Sequence, residues 1–572
     1  MPIQKTLKLA VVSALLLSAT SFSVSAADNA AKKTDSKAAA AKTAQPELTS
    51  EFIYKYLVGE IAGQRGELGL AGNVFYDLAK SSRDPRLAER AAKIAAFTNN
   101  GKAAMKATDL WLELDPDSVE AQQAATEMLI STGNLVDAKP YLQKLLTKED
   151  TRANGFLYLN NLFARQPDKA AVLRLVQELA KPYPDLPEAH FTIANAAWAN
   201  GNSELAISEL DAADKLHPGW EIGAVLHGQV LFGQSPETAR AYYNDFLTRH
   251  PDANEVRLTL ARMLVNQKHF SEAKTEFVKL VQASHNNPEV LVVVGLLSVQ
   301  SADYADADKY FQQALAADFK DKDQLYIYLG QVAEKQKKDD QALAWYNKVQ
   351  PGERQLEAKL NIAGLTARTH GTDAAIKMLD DLQDLNNEQL ALVLQAEASL
   401  LGQAKRYDEA YDVLDKAVQT LPDTPEIIYD YAMAAERLNR LDVTERELRK
   451  LIRIKPDSAQ AYNALGYSLA DRNVKLEEAR TLIEKALTLS PNDHFILDSM
   501  GWVEYRLGKL EQAADYLRRA YTTQTDPEIA AHLGEVLWKQ GNHDEAMQIL
   551  EEALRTHPDN EVLINTTKKF KL

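Results

Sequence analysis

Small apolar residues and prolines recur along this chain in a fixed order, and their period predicts its secondary structure. Ala206, Ala213 and Pro218 are seven and then five residues apart. The same two steps occur later, at Ala410, Ala417 and Pro422, at Ala479, Ala486 and Pro491, and at Ala546, Ala553 and Pro558. A second small residue often stands twelve positions before the first alanine, as Ala194, Gly295, Gly330, Gly501 and Gly534 do. The pattern returns about every 34 residues, which is the period of a helix–turn–helix pair that stacks into a solenoid.

Close packing explains why the small residues are needed. Two antiparallel helices touch only where one presents a small side chain, so Gly or Ala at position 8 of a repeat lets its helix A approach helix B. Alanine at position 20 receives that helix, and alanine at position 27 makes room for helix A of the next repeat. Proline at position 32 lacks an N–H and disfavours helix in the residue before it, so it ends helix B.

This arrangement resembles the tetratricopeptide repeat family over nearly everything after the first 50 residues. We predict an all-α superhelical solenoid over residues 49–560, closed by a capping helix or tail at 561–572, with Thr49 or Ser50 as the first N-cap. Asn160 at position 8 and Thr444 in place of a position-20 alanine mark the weakest repeats. About fifteen repeats are predicted, starting at Phe52, Pro85, Val119, Ala153, Pro187, Trp220, Asn254, Pro288, Asp323, Leu356, Ala391, Pro425, Ala459, His494 and Pro527.

The first 48 residues differ in character from the repeats. Residues 1–26 have the pattern of a secretory signal, with Lys5 and Lys8, an apolar core at 9–17 and the small-x-small site Val24-Ser25-Ala26. The alternative is a cytosolic amphipathic start. Residues 27–48, rich in Ala, Lys and Thr, are predicted to be a disordered linker. Because the protein has no cysteine, it cannot carry the lipid-modified cysteine of bacterial lipoproteins, so we expect a cleaved, non-lipidated periplasmic protein.

Charge and motif content narrow the functional classes. The formal net charge of −16 disfavours nucleic-acid binding, which needs a surplus of Lys and Arg. No phosphate loop, nucleophile elbow or paired metal-binding histidines occur, so we expect no catalysis, metal or cofactor. Asp303, Asp306 and Asp308 resemble the opening of a calcium loop, but the glycine and the twelfth-position glutamate are missing. The alternative is that these aspartates lie at the N-terminus of a helix, where negative charge is favourable.

The candidate binding residues follow from the family resemblance. In tetratricopeptide repeats, positions 2, 5, 6, 9, 12 and 13 usually face the concave groove. The last three repeats place an aromatic and polar set at these positions: Tyr467, Trp502, Tyr505, Arg506, His532 and Trp538. Rigid rings give contact area at low entropic cost, so this set is predicted to bind a protein partner. The alternative is that the rings pack between helices. Trp198 is a similar but isolated candidate.

A narrower resemblance concerns the C-terminal end. Residues 464–472, 496–508 and 526–538 resemble the C-terminal block of exported proteobacterial repeat proteins. These include adaptor lipoproteins that bring a periplasmic carboxyl-terminal processing protease together with cell-wall hydrolase substrates. The resemblance implies a non-catalytic periplasmic scaffold or adaptor with protein partners. This chain differs from those adaptors because it has no cysteine that could be lipidated. The alternative is a structural scaffold of an envelope secretion or exopolysaccharide-export assembly, and the oligomeric state stays open.

Overall fold

Pairs of antiparallel helices account for the regular structure of this protein. A computed structural model describes residues 49–98 and 100–570, so the predicted secretory signal and linker lie outside the described residues. The described residues contain 31 α-helices and no strand. They fall into an N-terminal unit that ends at Asp318 and a C-terminal unit that begins at Phe319.

The N-terminal unit contains sixteen helices, in which odd numbers are helix A of a repeat and even numbers are helix B. They are α1 (Ser50–Gln64), α2 (Leu68–Ser82), α3 (Pro85–Phe97), α4 (Gly101–Leu114), α5 (Val119–Ser131), α6 (Leu135–Thr147), α7 (Glu149–Phe163), α8 (Lys169–Ala180), α9 (Pro187–Ala199), α10 (Ser203–Leu216), α11 (Glu221–Phe232), α12 (Pro236–Arg249), α13 (Asn254–Asn266), α14 (Phe270–Ala283), α15 (Pro288–Gln300) and α16 (Tyr304–Ala316).

The C-terminal unit contains seven further helix pairs and one terminal helix. They are α17 (Lys322–Lys335), α18 (Asp339–Tyr346), α19 (Gln355–Thr369), α20 (Thr372–Asp380), α21 (Asn387–Gln403), α22 (Tyr407–Thr420), α23 (Pro425–Arg437), α24 (Leu441–Ile454), α25 (Ala459–Asp471), α26 (Leu476–Leu489), α27 (His494–Arg506), α28 (Leu510–Thr523), α29 (Pro527–Lys539), α30 (His543–Thr556) and α31 (Glu561–Phe570).

The predicted repeat starts agree closely with the A helices. Thirteen of the fifteen lie within two residues of a helix start. The exceptions are α7 and α21, which begin four residues before the predicted Ala153 and Ala391. At α21 the side chain of Asn386 accepts from the Gln389 N–H, while Gln389 accepts from the Asn386 N–H. This capping box satisfies two backbone donors and moves the start upstream.

Small residues allow the helix pairs to approach, as the position-8 rule requires. A Cβ atom built on Gly330 of α17 would lie 2.3 Å from a ring carbon of Tyr346 on α18. A Cβ atom built on Gly295 would likewise lie too close to the buried ring of Phe311. The position-20 alanines, for example Ala206 and Ala342, have no exposed surface. A larger side chain at either kind of position would therefore have to push the two helices apart.

Both ends of the described repeat array have identifiable caps. The Thr49 hydroxyl accepts a hydrogen bond of 3.1 Å from the Phe52 N–H at the start of α1. At the other end, α31 buries Leu563 and Phe570 against the last repeat. Asp303, from the calcium-like sequence, is the N-cap of α16 and accepts from the Asp306 N–H.

The predicted fold class, an all-α solenoid of tetratricopeptide-type repeats, is confirmed. Within residues 49–98 and 100–570, no helix is both long enough and apolar enough to cross a membrane.

Candidate functional site

Trp502 connects three successive A helices in the C-terminal unit. It lies on α27 and is 6% exposed. Its indole Nε1 donates to Oδ1 of Asp471 on α25 at 3.2 Å. Its ring stacks on His532 of α29, with 4.2 Å between ring centroids and 23° between planes. This one residue therefore contacts both the preceding and the following repeat.

Arg506 and Tyr505, also on α27, complete the surroundings of this ring. The guanidinium carbon of Arg506 lies 4.8 Å from the Trp502 ring centroid, within the range of a cation–π contact. Arg506 also donates from Nη2 to the backbone carbonyl of Asp471 at 2.9 Å. The Tyr505 ring centroid is 5.1 Å from that of Trp502. The indole is thus fixed by aromatic, cationic and hydrogen-bonded neighbours.

His532 is held by a carboxylate of the preceding repeat. Its Nδ1 lies 3.0 Å from both carboxylate oxygens of Asp498, and both side chains are largely buried. Burial alone would lower the pKa of His532. The carboxylates of Asp498, Glu528 and Asp471 outweigh that effect and hold the pKa above its ordinary value. The geometry therefore favours an imidazolium paired with Asp498.

Tyr467 of α25 is a partly exposed ring of this group. Its ring centroid lies 6.3 Å from that of His532. Burial, followed by the nearby carboxylates of Asp471, Asp498, Glu528 and Glu436, raises the pKa of the Tyr467 hydroxyl. The hydroxyl therefore stays protonated at neutral pH, and the ring lies among acidic side chains from four repeats.

Glu535 links Tyr505 to the terminal helix. The Tyr505 hydroxyl donates to Oε1 of Glu535 at 3.0 Å, and Lys569 of α31 donates to the same oxygen at 3.0 Å. Burial and the hydrogen bond to Glu535 raise the pKa of Tyr505 to about 12. These bonds connect α27, α29 and α31.

Trp538 has different ring neighbours from the other candidates. Its ring stacks on His543 at 4.2 Å between centroids and on Phe570 of α31 at 4.8 Å. The structure therefore brings together five of the six predicted residues, which we call the aromatic cluster: Tyr467, Trp502, Tyr505, Arg506 and His532. Their role in binding stays a prediction. In the N-terminal unit, Trp198 is 38% exposed.

Sequence reasoning missed the acidic residues that hold the aromatic cluster in place. Asp471, Asp498 and Glu535 each bond to a member of the cluster on a neighbouring A helix. Asp498 precedes His532 by one repeat period, so the same register could have identified that pair. Across the described residues, no group of three His, Asp or Glu side chains could hold a metal ion.

Comparison with known proteins agrees with this architecture. Family models described as tetratricopeptide repeat match residues 295–355, 402–466, 459–493 and 499–561. The TPR repeat-containing protein PA4667 of Pseudomonas aeruginosa is 32% identical over 498 residues, which cover 86% of this chain and 84% of that protein. This chain belongs to the tetratricopeptide repeat family. Tetratricopeptide repeats indicate a protein–protein interaction scaffold, a fold that is typically non-catalytic, and they suggest protein partners.

More distant similarities are also found for this tetratricopeptide repeat protein. Cellulose synthase operon protein C of Pseudomonas fluorescens is 23% identical over 414 residues, covering 59% of this chain and 31% of that protein. In the solved structure of the APC/C hetero-tetramer Cut9–Hcn1, the matched polypeptide is 14% identical with a TM-score of 0.31. The match covers 91% of this chain and 96% of that one.

Proposed function

We propose that this protein is a non-lipidated periplasmic adaptor that holds an envelope protease of the carboxyl-terminal processing class close to its cell-wall hydrolase substrates. The observation that carries the proposal is the aromatic cluster, whose rings are fixed before any partner arrives. A preorganised aromatic surface loses little conformational freedom on binding, which favours affinity. The signal-like residues 1–26 support the compartment.

The repeat architecture suits such an adaptor. Each repeat contributes one A helix to the surface, so two proteins can occupy different repeats of the same molecule. Binding an enzyme and its substrate to one scaffold raises their effective concentration without any catalytic group on the scaffold. The acidic surroundings of Tyr467 add a charge preference for a partner segment that carries Lys or Arg.

The direct test uses Tyr467, because it is a partly exposed ring of the aromatic cluster and lies among acidic side chains. The tagged mature protein is crosslinked in intact cells, and the periplasmic fraction is purified and analysed by mass spectrometry. We expect a processing protease and a cell-wall hydrolase, with recovery of the protease reduced about tenfold in Tyr467→Ala. Tyr516→Ala is the matched control, because Tyr516 is a partly buried tyrosine on helix B of the neighbouring repeat.

Two results would contradict the proposal. One is recovery of the protein from the cytoplasmic fraction. The other is equal recovery of the protease with Tyr467→Ala and with Tyr516→Ala, because the aromatic cluster would then have no part in binding.

A second candidate is a structural scaffold of an exopolysaccharide-export or secretion assembly in the envelope. The similarity to cellulose synthase operon protein C favours it, although that similarity covers 31% of the relative. The same crosslinking experiment separates the two functions. Enrichment of a polysaccharide synthase or outer-membrane export component, without a protease, would support this second candidate.

A further inference from the structure

The first helix of the described array exposes one apolar face. Four large side chains of α1 are between 46% and 68% exposed: Ile53, Tyr54, Leu57 and Ile61. The other side of α1 packs on α2, where a Cβ atom built on Gly59 would lie 3.0 Å from the ring of Phe75. Successive helical residues are about 100° apart around the axis, so the four residues share a narrow arc with the exposed Ser50 and Gln64. This arc, which we call the terminal apolar face, contains no charged residue.

The opposite end of the array is finished differently. The terminal helix α31 buries Leu563 and Phe570 against the last repeat, while Glu561, Lys568 and Lys569 on the same helix are exposed. The ends of a stacked repeat array need a polar outer surface to remain soluble. The terminal apolar face lacks such a surface, and no described residue covers it. It therefore requires a cover from elsewhere.

The residues immediately before α1 are unsuited to this role. Residues 27–48 contain alanine, one proline and Leu48 as their apolar residues, together with four lysines. Burial of apolar area stabilises a contact by about 0.8 kcal/mol for each CH₂ group, so alanines contribute little against Ile, Leu and Tyr. The protein that begins at Ala27, as the predicted signal cleavage would leave it, has no complementary segment next to this face.

A second copy of the chain does complement the face. Ile53 and Ile61 each lie four residues from Leu57, so the apolar pattern is the same in both directions along α1. In an antiparallel pair of α1 helices, Leu57 would meet its own copy on the twofold axis, and Ile53 would meet Ile61 of the second copy. A twofold interface is self-complementary in this way. The absence of charge also matters, because two chains with a formal net charge of −16 repel each other and a charge on the axis would face itself.

We propose that this protein forms a twofold symmetric dimer through the terminal apolar face, with two antiparallel α1 helices centred on Leu57. The fifteen residues of α1 span about 22 Å. Such a contact is smaller than the roughly 800 Å² that a standard interface buries on each partner, so the dissociation constant should lie in the micromolar range. The aromatic cluster takes no part in this contact. Each dimer therefore carries two copies of the cluster, which increases the avidity for a partner that has two binding sites.

Sedimentation velocity of the protein from Ala27 onwards tests the association. The mean mass should rise from one chain towards two between about 0.5 and 100 µM. Leu57→Glu places two like charges on the axis and should weaken the dimer about tenfold or more. Val136→Glu is the matched control, because Val136 is an exposed aliphatic residue on α6 of the same unit, and it should dimerise like the wild type. Tyr467→Ala should also dimerise normally, which separates the dimer from the proposed adaptor surface.

Disulfide formation tests the symmetry. Because the chain has no cysteine, an introduced cysteine is its only thiol. A disulfide joins Cα atoms about 4.4–6.8 Å apart, a separation that residues on the axis of two packed helices can reach. Leu57→Cys should therefore cross-link to its own copy on mild oxidation. Ile53→Cys should not, because its two copies lie about 12 Å apart, but it should cross-link when mixed with Ile61→Cys.

Three results would overturn the proposal. The first is a monomer at every concentration. The second is equal association of Leu57→Glu and Val136→Glu, which would place the contact elsewhere on the chain. The third is cross-linking of Ile53→Cys to itself as readily as to Ile61→Cys, which is incompatible with antiparallel α1 helices centred on Leu57.

Discussion

Gly330→Ala should destabilise the repeat that contains it, although alanine normally stabilises a helix interior relative to glycine by about 1 kcal/mol. Gly330 lies in the middle of α17 and faces Tyr346. An added Cβ would lie 2.3, 2.6 and 2.6 Å from three ring carbons of Tyr346. Carbon atoms in ordinary contact are about 3.5–4.0 Å apart, so the ring or the helix must move by roughly 1 Å.

The tyrosine has little room for that movement. Its side chain is 1% exposed, and its hydroxyl donates to the Glu334 carboxylate on α17. Overpacking in such a site costs about 1–3 kcal/mol, and loss of the Tyr346–Glu334 hydrogen bond adds to it. We therefore expect a net loss of about 1–3 kcal/mol, because the gain in helix propensity offsets only part of the cost.

Hydrogen exchange by mass spectrometry is the suitable assay, because a repeat array does not unfold as one unit. A loss of about 1–3 kcal/mol should accelerate exchange in residues 322–346 by about 5- to 150-fold. The matched control is Gly364→Ala in α19 of the next repeat. No atom lies within 4 Å of a Cβ built there, so exchange should slow by up to about fivefold.

The critical result is that the two substitutions change the hydrogen-exchange rate in opposite directions. If Gly330→Ala slows exchange as Gly364→Ala does, close helix approach is not what position 8 requires. A further check uses Tyr346→Ala, which removes the obstructing ring. In the Tyr346→Ala protein, Gly330→Ala should no longer destabilise the repeat, and the coupling free energy between the two substitutions should exceed about 1 kcal/mol.

Three further predictions concern the aromatic cluster and the start of the mature protein. The pKa of His532 is raised, so its pairing with Asp498 contributes stability below about pH 6.5, and this stability is lost as pH rises through the folded-state pKa. The melting temperature should therefore fall as pH rises from about 6.5 through the folded-state pKa, and Asp498→Asn should remove this dependence. Trp502→Ala should lower the melting temperature and accelerate exchange in α25, α27 and α29, because the buried indole contacts all three; unchanged exchange would contradict this. Mass spectrometry should find the mature N-terminus at or near Ala27 without lipid, and an intact or acylated start would contradict a cleaved secretory signal.

The helix pairs were predictable from sequence because their signals are local. Prolines and small residues at a fixed period specify where each helix ends and where two helices touch, without reference to the rest of the protein. The two displaced starts show the limit of this rule. At α21 the local capping chemistry of Asn386 and Gln389 overrides the register. At α7 the extended Lys148 and the acidic Glu149 and Asp150 start the helix early.

The candidate site was predictable only in part, for a related reason. The register placed Tyr467, Trp502 and His532 on one face of successive A helices, and they are neighbours in the structure. It placed Trp538 with them, but that ring packs on Phe570 in α31, which lies after the last repeat and outside the register. The degree of burial of each ring also depends on rotamers, which a repeat pattern does not encode.

Polar bonds between consecutive A helices add something that small residues cannot supply. Glycine and alanine allow helices to approach but do not define the direction of contact, because apolar packing is not directional. The bonds of Asn160 to Asn195 in one unit and of Asp498 to His532 in the other join residues 35 and 34 positions apart. Partly buried hydrogen bonds are costly to leave unmade, so each fixes the relative position of its two repeats. A bond of the same kind joins Gln395 of α21 to Asp430 of α23, 35 positions apart, so polar contacts between consecutive A helices recur along the array and define repeat-to-repeat geometry beyond the aromatic cluster.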